Sequence, residues 1–163
     1  MLAPEIDNLL MAMAAQLQQI APGNPVMVGI QSGGVWIAER LHKLMGLKIP
    51  LGHLNIAFYR DDFSRIGLHP QVTPSSLPFD VEDQHIILVD DVLHTGRTIR
   101  AALNEIFDYG RPARVTLAVL IERSGRELPI CAAVIGNRMT LKAGEHVKLS
   151  GPEPLALEIK SAE

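Results

Sequence analysis

Thirteen consecutive residues constrain this chain more than any others: Ile86-Ile87-Leu88-Val89-Asp90-Asp91-Val92-Leu93-His94-Thr95-Gly96-Arg97-Thr98. Four branched apolar residues in a row offer no polar face to water, so they predict a strand covered on both sides. Two adjacent carboxylates follow where that strand should surface, and a Thr-Gly-x-Thr turn then opens a helix. A turn of this kind suits a phosphate: glycine lets the backbone come close, hydroxyls donate, and the free N–H groups of a helix start meet the anion. Carboxylates in the turn itself would repel that anion. At the strand end, Asp90 and Asp91 suit the two vicinal hydroxyls of a ribose. The segment is shaped for a ribose 5-phosphate.

The rest of the chain supplies a frame for such a site. Ile6, Leu9, Leu10, Met13, Leu17 and Ile20 recur at helical spacing, and 21–25 ends that helix. Val26 to Ile30 reads as a buried strand, Gln31-Ser32-Gly33-Gly34 as a turn, and Val35, Ala38, Leu41, Leu44 and Met45 as one face of a second helix with Gly46 as its cap. Asn55 to Tyr59, Val115 to Ile121, Ile130 to Ile135, His146 to Leu149 and Leu155 to Ile159 are further strand candidates. Ile99, Leu103, Ile106 and Phe107 mark a third helix, stopped by Gly110 and Pro112. Strands alternating with helices predict an α/β fold, a central, mainly parallel sheet flanked by helices. Ligands then bind at the carboxyl ends of the strands, where both glycine turns fall.

The 163 residues suit a single domain, and 47% apolar content is ordinary for a soluble protein. A net charge of −3 predicts no general attraction to nucleic acid. The one cysteine, Cys131, excludes an internal disulfide, fits a reducing compartment and is expected in the core. Leu9 to Ala15 resembles the core of an export signal, but Glu5 and Asp7 precede it and no basic residue does. No apolar run approaches the ~20 residues of a membrane span, so a cytoplasmic protein is expected.

The apolar strand, paired acids and T-G-x-T in fixed register resemble the signature of the type I phosphoribosyltransferases, whose donor is phosphoribosyl pyrophosphate (PRPP). The resemblance implies a phosphate cradle at Leu93, His94, Thr95, Gly96, Arg97 and Thr98, with Asp90 and Asp91 on the ribose hydroxyls and on Mg²⁺. It implies a pyrophosphate loop at Gln31, Ser32, Gly33 and Gly34, whose structural alternative is a plain tight turn. A lid over about 60–80 would carry Tyr59, Arg60, Asp61, Asp62 and Arg65. Arg60 and Arg65 could meet pyrophosphate oxygens or be solvated loop charge, and Arg60 joins Asp90 and Asp91 as a catalytic candidate. A small hood is expected over about 121–163.

Leu54 to Gly67, Pro70-Gln71-Val72, Leu77 to Asp80, the signature, Arg111-Pro112-Ala113 and Arg126 to Ile130 follow in one order that is similar to the PyrR family, the pyrimidine operon attenuators that are also uracil phosphoribosyltransferases. That resemblance implies uracil, UMP, PRPP, Mg²⁺ and a homodimer or larger assembly. It puts the pyrimidine pocket at Ile121, Glu122 and Arg123, read as following a strand, with a surface role as the alternative for Arg123. Three residues depart from the pattern. His94 stands where enzymes on 6-oxopurines carry an Asp, which argues against a purine. Gln31 and Gly33 replace a basic residue and an Arg of the pyrophosphate loop, which predicts weaker turnover. No Lys or Arg precedes Arg40, whereas RNA-binding members present basic residues on the first helix, so affinity for an RNA leader is weakened. Arg138, Lys142 and Lys148 could form a small basic patch or be scattered solubilising charge. Two functions stay open: a uracil phosphoribosyltransferase that also regulates, and a nucleotide-binding regulator with little catalysis acting on RNA or through a protein partner.

Overall fold

A computed structural model describes residues 1–56 and 74–162. The elements are α1 (Ala3–Ile20), β1 (Val26–Ile30), α2 (Gly33–Met45), β2 (Gly52–Leu54), β3 (His85–Leu93), α3 (Arg97–Tyr109), β4 (Arg114–Arg123), β5 (Val134–Met139), β6 (Glu145–Ser150) and β7 (Ala156–Ser161). Among the described residues, five strands form one sheet in the order β2-β1-β3-β4-β5. Every neighbouring pair in it is parallel. The antiparallel hairpin β6–β7 stands apart.

Period-two alternation divides the strands between two cores. Met27, Ile87, Val89, Ala118 and Leu120 face α1 and α2, with Leu149, Leu155 and Leu157 of the hairpin completing that layer. Val26, Val28, Ile30, Ile86, Leu88 and Val119 face the other way, under Ile99, Ala102 and Ile106 of α3. The apolar runs of β1 and β3 are the sequence of strands with no solvent face. Both turns of interest leave the same sheet edge, after adjacent strands β1 and β3.

Several expectations shift. Strand β3 does not surface after Val89: it runs on through Asp90, paired with Val119, to Leu93, paired with Glu122. Strand β2 is Gly52–Leu54 and excludes Asn55 and Ile56, because the Asn55 N–H donates to Ser75 Oγ at 2.9 Å rather than to a ladder. The remainder of that expected strand lies outside the described residues. The strand expected at Ile130 to Ile135 begins at Val134, since Ile130 is drawn over Gly96 instead. Cys131 is exposed on that connector and does not pack in the core. Leu44 and Phe107, expected on buried helix faces, are 47% and 56% exposed. Among the described residues no helix is long and apolar enough to cross a membrane.

Candidate active site

The site begins with two glycines that permit contact between two segments 57 residues apart in sequence. A Cβ on Gly33 would lie 2.3 Å from Asp91 Oδ2, and one on Gly34 would lie 2.8 Å from the Val89 carbonyl and 3.0 Å from Asp90 Oδ1. Any larger residue would collide with the end of β3, so the start of α2 and the carboxylate pair share one cleft. Asp90 is 4% exposed and Asp91 half-buried. Each carboxylate is oriented by the next residue: Asp90 Oδ1 accepts from the Asp91 N–H and Asp91 Oδ1 from the Val92 N–H, both at 2.9 Å.

The turn after β1 has a cis Gln31–Ser32 peptide. Gln31 donates its N–H to the Leu54 carbonyl at 2.9 Å, and its side-chain amide lies 3.3 Å from His53 Nδ1. No side-chain cap closes α2, so its first-turn N–H groups have no intrahelical partner and point out of the turn. The N–H of Trp36 is the first to bond back, to Ser32 O at 3.3 Å.

The turn after β3 is braced from behind. Gly96 has φ +96°, a conformation that other L-residues adopt at a cost, and a Cβ there would meet Ile130 Cγ1 at 3.0 Å. The Thr95 carbonyl accepts from Glu127 and Leu128, both at 3.0 Å, while Thr95 Oγ1 accepts from the Arg97 N–H at 3.2 Å. Arg126 donates to the His94 carbonyl, to Ile130 O at 3.0 Å and to Glu122 Oε1 at 2.6 Å. Helix α3 also lacks a side-chain cap. Thr95 Oγ1 takes the Arg97 N–H, and the next N–H groups of the first turn have no partner within the helix. Leu93 is buried in the core, so only its backbone can serve a ligand; Arg97 reaches outward to Glu127 at 3.7 Å; Thr98 is half-buried in the first turn.

Ile121, Glu122 and Arg123 do not follow a strand, as expected, but form the end of β4. The Ile121 side chain is fully buried. Glu122 binds Arg126 at 2.6 Å and Arg138 at 2.9 Å, so its carboxylate is a fastening between turn and β5. Arg123 donates to the carbonyls of Ser124 and Glu145. Together with Ser124, Gly125, Arg126, Arg138 and Thr140 these residues line a cleft of about 340 Å³. The His94 ring lies beside Gly125, 2.8 Å from where a Gly125 Cβ would stand. Burial lowers the His94 pKa, and the nearby Arg123 and Arg126 guanidinium groups lower it further, against an opposing pull from Glu127.

Gly33 and Gly34 thus meet Asp90 and Asp91, and the Thr95–Thr98 turn follows at the end of the same strand, β3. Tyr59, Arg60, Asp61, Asp62 and Arg65 lie outside the described residues. The sequence reading gives Arg126 no bracing role and places Ile130 at the start of a strand; the Arg-Glu-Leu-Pro-Ile run is the signal, an arginine and an isoleucine flanking a connector too short to be independent of the turn it braces.

Residues 3–151 match the model of the phosphoribosyl transferase domain. A "Bifunctional protein PyrR" from Nitrosococcus oceani is 60% identical over 155 residues, covering 94% of this chain and 88% of the relative. The chain belongs to the PyrR family of phosphoribosyltransferases. A second member, from Pseudomonas fluorescens, is 54% identical over 95% of this chain and 92% of its own. Among solved structures, a purine phosphoribosyltransferase from Pyrococcus horikoshii aligns with a TM-score of 0.64 at 26% identity, covering 84% of this chain and 86% of that one. A hypoxanthine phosphoribosyltransferase from Staphylococcus aureus aligns with 0.68 at 19% identity, covering 85% and 76%, a likeness of fold alone.

Proposed function

We propose that this chain transfers the phosphoribosyl group of PRPP to uracil, giving UMP and pyrophosphate, and that its occupancy by pyrimidine nucleotide serves regulation of pyrimidine biosynthetic genes. The observation that supports this best is the seating of Gly33 and Gly34 on Asp91 and Asp90. It seats the turn after β1 against the carboxylate pair of β3, the strand that leads into the Thr95–Thr98 turn.

In this reading the 5-phosphate takes the N–H groups and hydroxyls of the Thr95–Thr98 turn. Asp90 and Asp91 accept from the ribose hydroxyls, and the negative field of the pair favours the positive charge that grows on the ribose ring. Pyrophosphate is received by the Gln31–Gly34 turn, with Arg60 and Arg65 of a 60–80 lid as its cationic partners. The anomeric C–O bond breaks, the bond to N1 of uracil forms, and the N1 proton is released. Uracil lies against the end of β4, where backbone groups of 121–123 and the Arg123 charge face its carbonyl oxygens. Neutral His94 in place of an Asp gives a purine N7 no carboxylic partner.

Two carboxylates are the hard oxygen donors Mg²⁺ takes, and an ion that keeps its waters and draws on diphosphate oxygens needs no larger protein cage. When bound, Mg²⁺ would neutralise charge on the diphosphate beside Asp90 and Asp91.

The regulatory half differs from a basic RNA-binding surface. Glu5 and Asp7 lie on α1, and Arg40 is engaged by Asp7 at 3.3 Å and Glu153 at 2.9 Å. RNA recognition would therefore fall to other surfaces or to a protein partner, in a cytoplasmic homodimer or larger assembly.

The test is UMP formation from uracil and PRPP with Mg²⁺, beside the Asp90→Asn/Asp91→Asn double variant. The expected loss is at least about a hundredfold, with hypoxanthine inert as acceptor. Wild-type protein that binds UMP yet forms none would leave the regulator with little catalysis as the function.

A further inference from the structure

The turn after β1 and the turn after β3 are joined by a route that does not pass through the ligand cleft. It starts at Gln31, whose N–H bonds to Leu54 O and whose side chain meets His53 Nδ1. His53 exchanges both backbone hydrogen bonds with Ser76 at 2.8 Å, an isolated antiparallel bridge on the outer edge of β2. Next to it, the Ser75 hydroxyl accepts the Asn55 N–H at 2.9 Å and donates to Glu105 Oε1. Glu105 lies on α3, two turns beyond the residues that open that helix at Gly96. The other Glu105 oxygen, Oε2, is buried and has no hydrogen-bond partner among the described residues. A carboxylate oxygen buried without a partner costs stability. Among the described residues the Ser75 hydroxyl is the polar partner of that side chain.

Packing keeps the strut short. Leu77 and Phe79 lie over Gly52, where a Cβ would meet them at 2.9 and 3.1 Å, so the 75–79 segment is pressed onto β2 and alongside α3. Residues 74–76 are thereby fixed on one side to the strand that supports Gln31 and on the other to the helix that carries the phosphate turn.

We propose that Ser75 and Glu105 are positioning residues for the transfer reaction: their hydrogen bond holds the Gln31–Gly34 turn at a set distance from the Thr95–Thr98 turn, so that PRPP, which must touch both, is held at both ends. Neither residue reaches the cleft. This rests on the reading of the two turns as pyrophosphate and 5-phosphate sites. A ligand that uses one turn should be indifferent to the strut, and a ligand that spans both should not.

The experiment measures steady-state kinetics and calorimetric binding of PRPP and UMP, each with Mg²⁺, for wild type, Ser75→Ala, Ser75→Thr, Glu105→Ala and Glu105→Gln. The expected result is a KM for PRPP raised about tenfold in Ser75→Ala and Glu105→Ala, with kcat within about twofold and UMP affinity unchanged. Ser75→Thr, which keeps the hydroxyl, and Glu105→Gln, which keeps an acceptor oxygen, should restore KM. The Ser75→Ala/Glu105→Ala double variant should be no worse than either single, because both remove one contact. Equal losses of PRPP and UMP affinity, losses that add in the double variant, or an unchanged KM would each overturn the proposal. Should an alanine variant fail to fold, the Thr and Gln variants against wild type and a thermal melt still decide: restored stability with KM still raised would count against a positioning role. Absence of UMP formation by the wild type would instead be a failure of the reading on which this rests, and PRPP binding by the variants would still test the strut.

Discussion

The turn after β1 and the turn after β3 both end a buried parallel strand and open a helix, and both carry glycine, yet for unlike reasons. Gly33 and Gly34 have no special backbone conformation; they are small because the end of β3 stands against them. Gly96 combines a left-handed φ with a close neighbour, Ile130. The first turn is shaped by what lies in front of it, the second by the 126–130 connector behind it. A Gly in a loop can thus mark close approach or backbone strain, and the remedy for losing it differs.

That contrast can be broken by substitution. The largest effect is expected at Gly34→Ala, whose Cβ meets backbone at 2.8 Å. Backbone cannot rotate away, so overpacking should cost about 1–3 kcal/mol, read as a lower Tm together with lost activity. Gly33→Ala meets a carboxylate that can turn aside, so the melting temperature should stay near wild type while turnover falls about tenfold or more through the displaced Asp91. Gly96→Ala should cost about 1–2 kcal/mol for the left-handed residue and weaken UMP binding. Comparable Tm losses at 33 and 34 would erase the distinction drawn here. Arg126→Ala tests the brace behind the second turn: UMP affinity should fall about tenfold, with the first turn, probed by pyrophosphate binding, unaffected.

The smallest effect concerns pH. The folded-state pKa of His94 lies below its unfolded value, chiefly through burial and then Arg123. The unfolded chain therefore binds the proton more readily. His94 opposes folding as pH falls from about 6.5 toward the folded pKa, and its penalty is absent at higher pH. His85, lowered by burial and by Arg114, acts in the same direction. His94→Gln should flatten the decline of Tm between about pH 7 and 5 without abolishing it, the remainder belonging to His85.

Much of this arrangement is readable in the sequence because it is written in local patterns. The apolar runs of β1 and β3 match their boundaries at Val26 and Ile86 to within a residue, and Gly46 takes the left-handed cap its position suggests. The carboxylates and both glycine turns are legible as features of strand ends, and Gly33 and Gly34 do stand against Asp91 and Asp90. What was not legible depended on partners distant in sequence. Asn55 leaves β2 because Ser75 takes its N–H. Ile130 looks like the start of a strand and is the wedge behind Gly96. Polar Asn137 and Arg138 disguise β5, which as an edge strand tolerates them. Glu122 resembles a ligand-facing acid and is a tie between two arginines.

Strand β3 is hydrogen-bonded to a parallel neighbour on each side as far as Val89, and Asp90, still paired with Val119 of β4, and Asp91 follow directly. The acidic half of the cleft is thus mounted directly on the doubly paired middle of the sheet, the part expected to open only when the whole fold does. The glycine turns sit on loops with no such protection. Damage to the core should therefore leave the carboxylates in register until the molecule unfolds as a unit, and gradual loss of function under heat or denaturant should begin at the turns.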